Sequence, residues 1–188
     1  MSHPSTPKPV KLLVSLITGD THLIPGVAEE LSQTYGKIDY MSACIPFTAT
    51  TYYEAEMGEG LMRRLITFED LLDPERLPEV KRYTDKLEAH YTSSEGNRRI
   101  NLDPGYMTLY QLILATNKRF AHRPYLKDGV YADLTLIYKN KSFQPLAWTF
   151  PDYGSAEMIG IVNRLRERYH LQLKKQESDS QDPGFWSV

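Results

Sequence analysis

The 188-residue sequence contains a single cysteine, Cys44, and no apolar run close to the ~20 residues that cross a bilayer. One cysteine excludes an internal disulfide and supplies too few thiolates for a structural zinc site. The first residues also lack the apolar core of a signal peptide. We therefore expect a soluble, cytoplasmic chain without a membrane partner.

An excess of charge of one sign is missing too. The sequence has 22 Lys and Arg against 24 Asp and Glu, a formal net charge of −2, which gives no general attraction to nucleic acid. Apolar residues make up 41 % and aromatic residues 11 %, which excludes the disordered and low-complexity classes. A chain of this length buries roughly 70 % of its unfolded surface, so it folds without a metal or a disulfide.

Common catalytic and cofactor motifs are absent as well. The sequence contains no P-loop, and no glycine-rich dinucleotide fingerprint follows its first apolar run. It also lacks the zinc protease helix motif, the paired-cysteine redox motif and the nucleophile elbow of α/β-hydrolases. These absences exclude several large enzyme classes and leave any cofactor, metal or reaction open.

Apolar periodicity predicts one domain at residues 10–173, with flexible tails at 1–9 and 174–188. The near-continuous apolar run from Val10 to Ile17 indicates a buried central strand. The first half then predicts, in order, a helix from Pro25 to the stop at Gly36, a strand at 38–47, a hairpin at 48–68 around Gly58–Gly60, a helix at 73–91, and a strand at 97–102 that ends in an Asp103-Pro104-Gly105 turn.

The second half predicts a buried helix at 108–117 and strands at 121–126, 130–138 and 142–149, with a hairpin turn at Lys127-Asp128-Gly129. A last helix starts at the N-cap Ser155 and buries Met158, Val162, Leu165 and Tyr169. The fold class is α+β, with a predominantly antiparallel or mixed sheet. With the hairpin counted as one β element, the first six elements have the βαββαβ order of a ferredoxin-like plait, and α-βββ-α follows.

Four separated strings, YYEAEMG at 52–58, NLDPGY at 101–106, HRPYL at 122–126 and WTFPDY at 148–153, occur in this order. On these strings the chain resembles a bacterial family, DUF4416, which is described as a domain of unknown function. The resemblance covers nearly all of residues 8–173. It implies a family membership but no activity, substrate or catalytic residue.

A basic segment runs from Arg98 to Lys127, with six Lys and Arg against one acid, Asp103, and with aromatic residues between them. Guanidinium and ammonium groups bind phosphate or carboxylate, and aromatic faces stack on bases. The predicted ligand-binding residues are Arg99, Lys118, Arg123, Tyr106 and Tyr125. The alternative is that the cations face solvent while the tyrosines pack in the core.

The catalytic candidates are His122 as a proton donor or acceptor, and Asp103 with Glu56 as a metal ligand or base. Each has a structural alternative, since a lone histidine often only packs and Asp103 suits a turn. On a strand, Glu54 and Glu56 share a face and could hold a cation, whereas the hairpin register places Glu54 opposite Arg64 as an ion pair.

We therefore predict a protein that binds a small anionic ligand, such as a nucleotide or phosphorylated metabolite, with phosphoryl transfer or hydrolysis as the candidate reaction. The alternative is a non-enzymatic interaction module or homo-oligomer. In that module the acidic segment at 54–75 and the basic segment meet in a homo-oligomer or on another protein. The two segments could also complement each other within the fold. RNA binding by tyrosine-rich strands is a third hypothesis, and the net charge argues against it.

Overall fold

The computed structural model describes residues 3–50 and 52–181. These residues build one antiparallel sheet in the order β2-β4-β1-β5-β6-β8-β7, in which β3 also pairs with β4 and β9 with β8. The strands are β1 (Val10–Thr18), β2 (Ile38–Met41), β3 (Ile45–Pro46), β4 (Met62–Leu72), β5 (Ile100–Met107), β6 (Gln111–Thr116), β7 (Tyr125–Lys127), β8 (Val130–Lys139) and β9 (Ser142–Pro145). The α-helices are α1 (Ile24–Tyr35), α2 (Glu54–Met57), α3 (Leu77–His90) and α4 (Ala156–Gln181).

The first half of the chain forms the predicted plait. Strands β2, β4, β1 and β5 lie side by side and all neighbours are antiparallel, which is the ferredoxin-like arrangement. Helices α1 and α3 pack on one face of these strands around a shared apolar core. The α+β prediction and the plait are thus confirmed.

Strand β1 is apolar at nearly every position because both of its faces are covered. Leu12, Val14 and Leu16 point into the core beneath α1 and α3. Leu13 belongs to a second core, which also contains Leu65 of β4 and is closed by α4. All nine residues of β1 are buried, so side chains that alternate between two faces meet apolar surroundings on each.

Helix α4 begins at the predicted N-cap and covers the second face of the sheet. The Ser155 hydroxyl caps it by accepting the Met158 N–H at 3.2 Å. Met158, Val162 and Leu165 pack into the second core, and the Tyr169 hydroxyl donates to the Pro9 carbonyl at 2.6 Å. The helix continues to Gln181, so residues 174–181 of the predicted tail are helical. The remainder of that tail, 182–188, and residues 1–2 of the other tail lie outside the described residues.

The predicted hairpin at 48–68 is wrong in its first half, where the chain forms a loop and the single turn of α2. The reason is that β4 already has partners on both edges, with β1 on one side and β2 and β3 on the other. The cross-strand pair of Glu54 with Arg64 is wrong as well. Glu54 begins α2, whereas Arg64 lies in register with Leu16 of β1.

The predicted turn at Asp103-Pro104-Gly105 lies inside β5, and the predicted helix at 108–117 is the strand β6. The turn comes at Thr108, whose hydroxyl accepts the N–H of Tyr110 and of Gln111. Gly105 serves close packing instead, because a Cβ there would lie 2.4 Å from the Ile113 carbonyl oxygen. β6 is apolar because it is an interior strand between β5 and β8.

The last hairpin is correct at its turn, where Asp128 and Gly129 have φ of 53° and 80°. Of the two strands that this turn joins, β7 begins at Tyr125 instead of 121, whereas β8 matches its predicted range to within one residue. The next strand, β9, ends at Pro145 instead of 149. No helix in the described part of the chain is long and apolar enough to cross a membrane.

Candidate functional site

Strands β5 and β6 pair at one end and separate at the other. Their register joins Gly105–Met107 to Leu112–Leu114. Nearer the start of β5, the backbone of Leu102 forms hydrogen bonds with side chains of α3 instead of with β6. Its N–H donates to Glu88 Oε1 at 2.6 Å, and its carbonyl accepts from Lys81 Nζ at 3.2 Å. The sheet therefore opens between β5 and β6 without leaving these backbone groups unpaired.

A polar cleft of about 430 Å³ occupies this opening. Its lining comes from α3, β5, the end of β6, and loops that carry aromatic residues. The lining residues are Tyr52, Tyr53, Lys81, Asp85, Glu88, Arg98, Asn101, Asp103, Leu114, Ala115, Thr116, Asn117, Lys118, Arg123, Asp133 and Phe150. Four Lys and Arg and four Asp and Glu thus face one cleft, a density of charge that is uncommon at partly buried positions.

Lys81 projects from α3 into the floor of the cleft. Its side chain is 8 % exposed, and its ammonium group pairs with Asp85 at 2.9 Å. Burial lowers the pKa of Lys81, but the carboxylates of Asp103, Asp85 and Glu88 outweigh burial, so the pKa lies above its ordinary value. Lys81 therefore stays charged and holds three acidic side chains around it.

Arg98 connects the floor of the cleft to its rim. It donates to Glu56 at 2.7 Å and to Asn101 at 3.0 Å, and it lies 3.5 Å from Glu88. The hydrogen bond from Arg98 lowers the pKa of Glu56. Asn101 in turn donates to Asp103 at 2.7 Å. Burial, with the negative charge of Asp103, raises the pKa of Tyr53 to about 12. A continuous polar network thus lines one half of the cleft.

The other half of the cleft is basic and aromatic. Arg123 Nε donates to Asp133 at 2.8 Å, and its terminal nitrogen donates to the Lys118 carbonyl at 3.2 Å. The Lys118 ammonium lies 4.6 Å from the ring centroid of Tyr52. Among the described residues, Lys118 is the cleft cation that has no carboxylate within 4 Å. Phe150 completes this wall.

The family model for a Domain of unknown function (DUF4416) matches residues 8–169. The chain belongs to this family. The match confirms the resemblance seen in the four sequence strings, and it contains every residue that lines the cleft. Neither the curated proteins nor the solved structures contain a match to the chain.

The DUF4416 fold brings three of the predicted site residues, Asp103, Lys118 and Arg123, into the cleft. Two other predicted site residues, Glu56 and His122, each contact a residue that lines the cleft. Glu56 bonds to Arg98, and His122 Nε2 lies 3.7 Å from Asp133. His122 also stacks on Trp148, with ring centroids 5.0 Å apart, which matches the structural alternative for a lone histidine.

The other three predicted residues lie outside the cleft lining. Arg99 pairs with Asp20 at 2.7 Å. Tyr106 packs against the cores beside α3, because its side chain points to the face of β5 that α1 and α3 cover. Tyr125 is 60 % exposed on the edge strand β7 and contacts Tyr131. Across the described residues, no group of three or more His, Cys, Asp or Glu side chains is placed to hold a metal ion.

Sequence reasoning missed the contribution of α3 to the DUF4416 cleft. Lys81, Asp85 and Glu88 follow one another at steps of four and three residues, so they form a single stripe on the helix. This polar stripe lies beside the apolar stripe of Val80 and Leu87. Charged residues at this spacing, next to buried positions, were the signal in the sequence that this face of the helix is partly enclosed. What the charged residues face becomes visible only in the structure, where β5 passes beside them.

Glu88 should make stability depend on pH. Burial raises the pKa of its carboxyl from 4.5 to about 7. Between these pH values the folded chain holds a proton that the unfolded chain has lost, so stability falls as the pH rises through this window. Glu88→Gln removes that loss. Relative to wild type, we expect E88Q to gain about 1–3 kcal/mol in unfolding free energy between about pH 5 and pH 8.

Urea denaturation at a series of pH values measures this effect. Glu79→Gln is the matched control, since Glu79 lies on the same helix and its side chain is 63 % exposed. A constant difference between E88Q and wild type across the pH range would contradict the raised pKa of Glu88.

Proposed function

We propose that the cleft binds a small anionic ligand, a nucleotide or another phosphorylated compound, and that the anionic group binds at Lys118. The observation that carries this proposal is the environment of Lys118, a cleft cation without a carboxylate within 4 Å among the described residues. Arg123 supplies a second cation at the same end, joined to the Lys118 carbonyl. Ammonium and guanidinium groups together are suited to phosphate.

The rest of the cleft supports a small organic ligand. Its volume of about 430 Å³ is in the usual range for such sites. Tyr52 and Phe150 are 64 % and 54 % exposed at its mouth, so they offer faces for contact. Asn101, Thr116 and Asn117 add neutral hydrogen-bonding groups to the lining. A ligand with one anionic group and several polar atoms fits this distribution.

Phosphoryl transfer or hydrolysis is the candidate reaction in the same cleft. Such a reaction needs a carboxylate or other base near the bound phosphoryl group. Asp103 and Glu88 supply carboxylates in the lining, whereas His122 and Glu56 lie outside it. We therefore assign the role of proton acceptor to Asp103 or Glu88 in place of His122.

Lys118→Met tests the binding proposal. We expect calorimetric titration of the wild-type chain with nucleotides, sugar phosphates and pyrophosphate to reveal a binder, and K118M to weaken its affinity about 10- to 100-fold. The reason is that a hydrogen bond to a charged group contributes about 1.5–3 kcal/mol. Lys127→Met is the control, because Lys127 is an exposed residue of β7 in the same basic segment.

Equal losses in K118M and K127M would point to diffuse attraction and would overturn the assignment to the cleft. A panel without any binder would favour the alternative, a non-enzymatic interaction module or homo-oligomer. For that alternative, the acidic and basic segments already meet within one chain through the 2.7 Å contact of Glu56 with Arg98. A partner would therefore have to use other charges of these segments.

A further inference from the structure

A second cavity of about 310 Å³ adjoins the cleft. Four residues line both spaces: Tyr52, Tyr53, Lys118 and Phe150. The part that belongs to the second cavity alone is lined mainly by Phe47, Ala49, Arg63 and Tyr153. We call this part the ring chamber. Because its walls continue into those of the cleft, one ligand can occupy both.

The ring chamber has aromatic walls around a buried arginine. The Arg63 guanidinium carbon lies 4.7 Å from the ring centroid of Phe47 and 4.8 Å from that of Tyr153. Asp152 pairs with this guanidinium group. The Arg63 side chain is only 5 % exposed, so the arrangement is part of the folded interior and not a mobile surface group. The chamber is therefore built on a fixed wall.

One donor of this wall has no acceptor. Arg63 Nε is buried and has no hydrogen-bond partner among the described residues. Buried donors in native proteins are nearly always paired, because an unpaired donor costs free energy. Since Arg63 Nε is itself buried, a ligand in the chamber contacts the aromatic walls and not this donor.

We infer that the ligand is an anion that carries a planar aromatic ring, and that the ring occupies the ring chamber while the anionic group binds Lys118. This inference rests on the proposed function and narrows its ligand class. Lys118 lines both spaces. An anionic group bound to Lys118 therefore has the ring chamber on one side and the polar network of Asp103 and Asn101 on the other. Nucleotides have this composition, whereas sugar phosphates lack the ring.

The test compares ligands that carry both the ring and the phosphate with ligands that lack one of the two. Full-length protein is titrated with ribose 5-phosphate, with adenosine and guanosine 5′-monophosphates, and with the two nucleosides. We expect at least one nucleoside monophosphate to bind about tenfold more tightly than ribose 5-phosphate, since stacking of a base on an aromatic side chain gives a gain of this size. Equal affinities for the ringed and ringless phosphates would overturn the inference.

Ala49→Trp locates the ring. Ala49 is exposed on the loop and lines the ring chamber, so a large side chain fills the space without removing core packing. We expect A49W to cancel the tenfold advantage of the nucleotide and to leave ribose 5-phosphate binding unchanged. Thr48→Trp is the control, because Thr48 is an exposed neighbour that lies outside the ring chamber.

The outcomes separate the two proposals. If both phosphates bind but A49W changes neither, the ring chamber is wrong and the anion site stands. If no phosphate binds, or if K118M has no effect, the proposed function fails and the inference fails with it. Should A49W melt well below wild type, the smaller substitution Ala49→Leu serves instead, because it fills part of the same chamber and Ala49 does not line the cleft.

Discussion

We expect Lys81→Met to lower the free energy of unfolding by about 3 kcal/mol. Removing one partner of a buried ion pair leaves uncompensated charge, which typically costs 3–5 kcal/mol. Here the substitution leaves Asp85, Glu88 and Asp103 without their shared cation and the Leu102 carbonyl without its donor. For a chain of this size the melting temperature should fall by about 6–12 °C, which differential scanning calorimetry measures.

Lys86→Met separates this effect from the loss of any positive charge on the helix. Lys86 is an exposed residue of α3, and we expect its substitution to shift the melting temperature by less than about 2 °C. The loss of stability in K81M should be smaller in acid, where Glu88, whose pKa burial raises to about 7, is protonated and no longer needs the cation. Similar shifts for K81M and K86M at neutral pH would show that Lys81 is not the buried counter-ion of the cleft.

Gly105→Ala should have the second largest effect, a loss of about 2–3 kcal/mol in unfolding free energy. The added Cβ would lie 2.4 Å from the Ile113 carbonyl oxygen and 2.7 Å from Leu114 Cδ2. Overpacking of this kind costs about 1–3 kcal/mol, and here the contact is partly with backbone that has little freedom to move. Urea denaturation measures the loss.

Because Gly105 lies where β5 and β6 pair, its substitution should also disturb the cleft. It should therefore weaken the binding of any ligand that titration identifies. Gly160→Ala is the control. Gly160 lies within α4, and a Cβ there would meet Arg164 at an ordinary 3.6 Å. We expect G160A to gain about 0.5–1 kcal/mol. If G105A were as stable as wild type, the close approach of β5 and β6 would be wrong.

The elements predicted correctly are those whose sequence signals are local. The apolar run of β1 and the Ser155 cap of α4 each specify an element without reference to the rest of the chain. The turn at Asp128-Gly129 is likewise set by two residues with positive φ. Together with the order of helices and strands, such signals were sufficient for the plait.

The prediction failed where tertiary neighbours decide the conformation. Pro104 and Gly105 are typical turn residues, but here they lie inside a strand. Alternate residues of a strand direct their backbone groups to the same edge, so the Pro104 nitrogen faces the side where Leu102 bonds to α3. Proline is tolerated there because no strand takes a hydrogen bond from it. The apolar segment of β6 was assigned as a helix because burial on both faces removes the alternation that identifies strands.

The candidate site was predictable in part. Asp103, Lys118 and Arg123 were found because charge density along the chain marked one segment. Lys81 and Glu88 were not, since they reach the cleft through a gap in the sheet that depends on where β5 and β6 separate. The ring chamber joins Phe47, Arg63 and Tyr153, which are far apart in the sequence and share no motif.

The order of elements along the chain also determines when the second face of the sheet is covered. Leu13, Leu65 and Met107 lie in strands of the plait, yet the helix that closes their core begins only at Ala156. About 50 residues separate Met107 from this helix, which is about 3–10 s of synthesis at the usual rate of translation. During that interval a nascent plait presents an uncovered apolar face. The ribosome-bound chain is therefore the stage at which a chaperone would have most to shield.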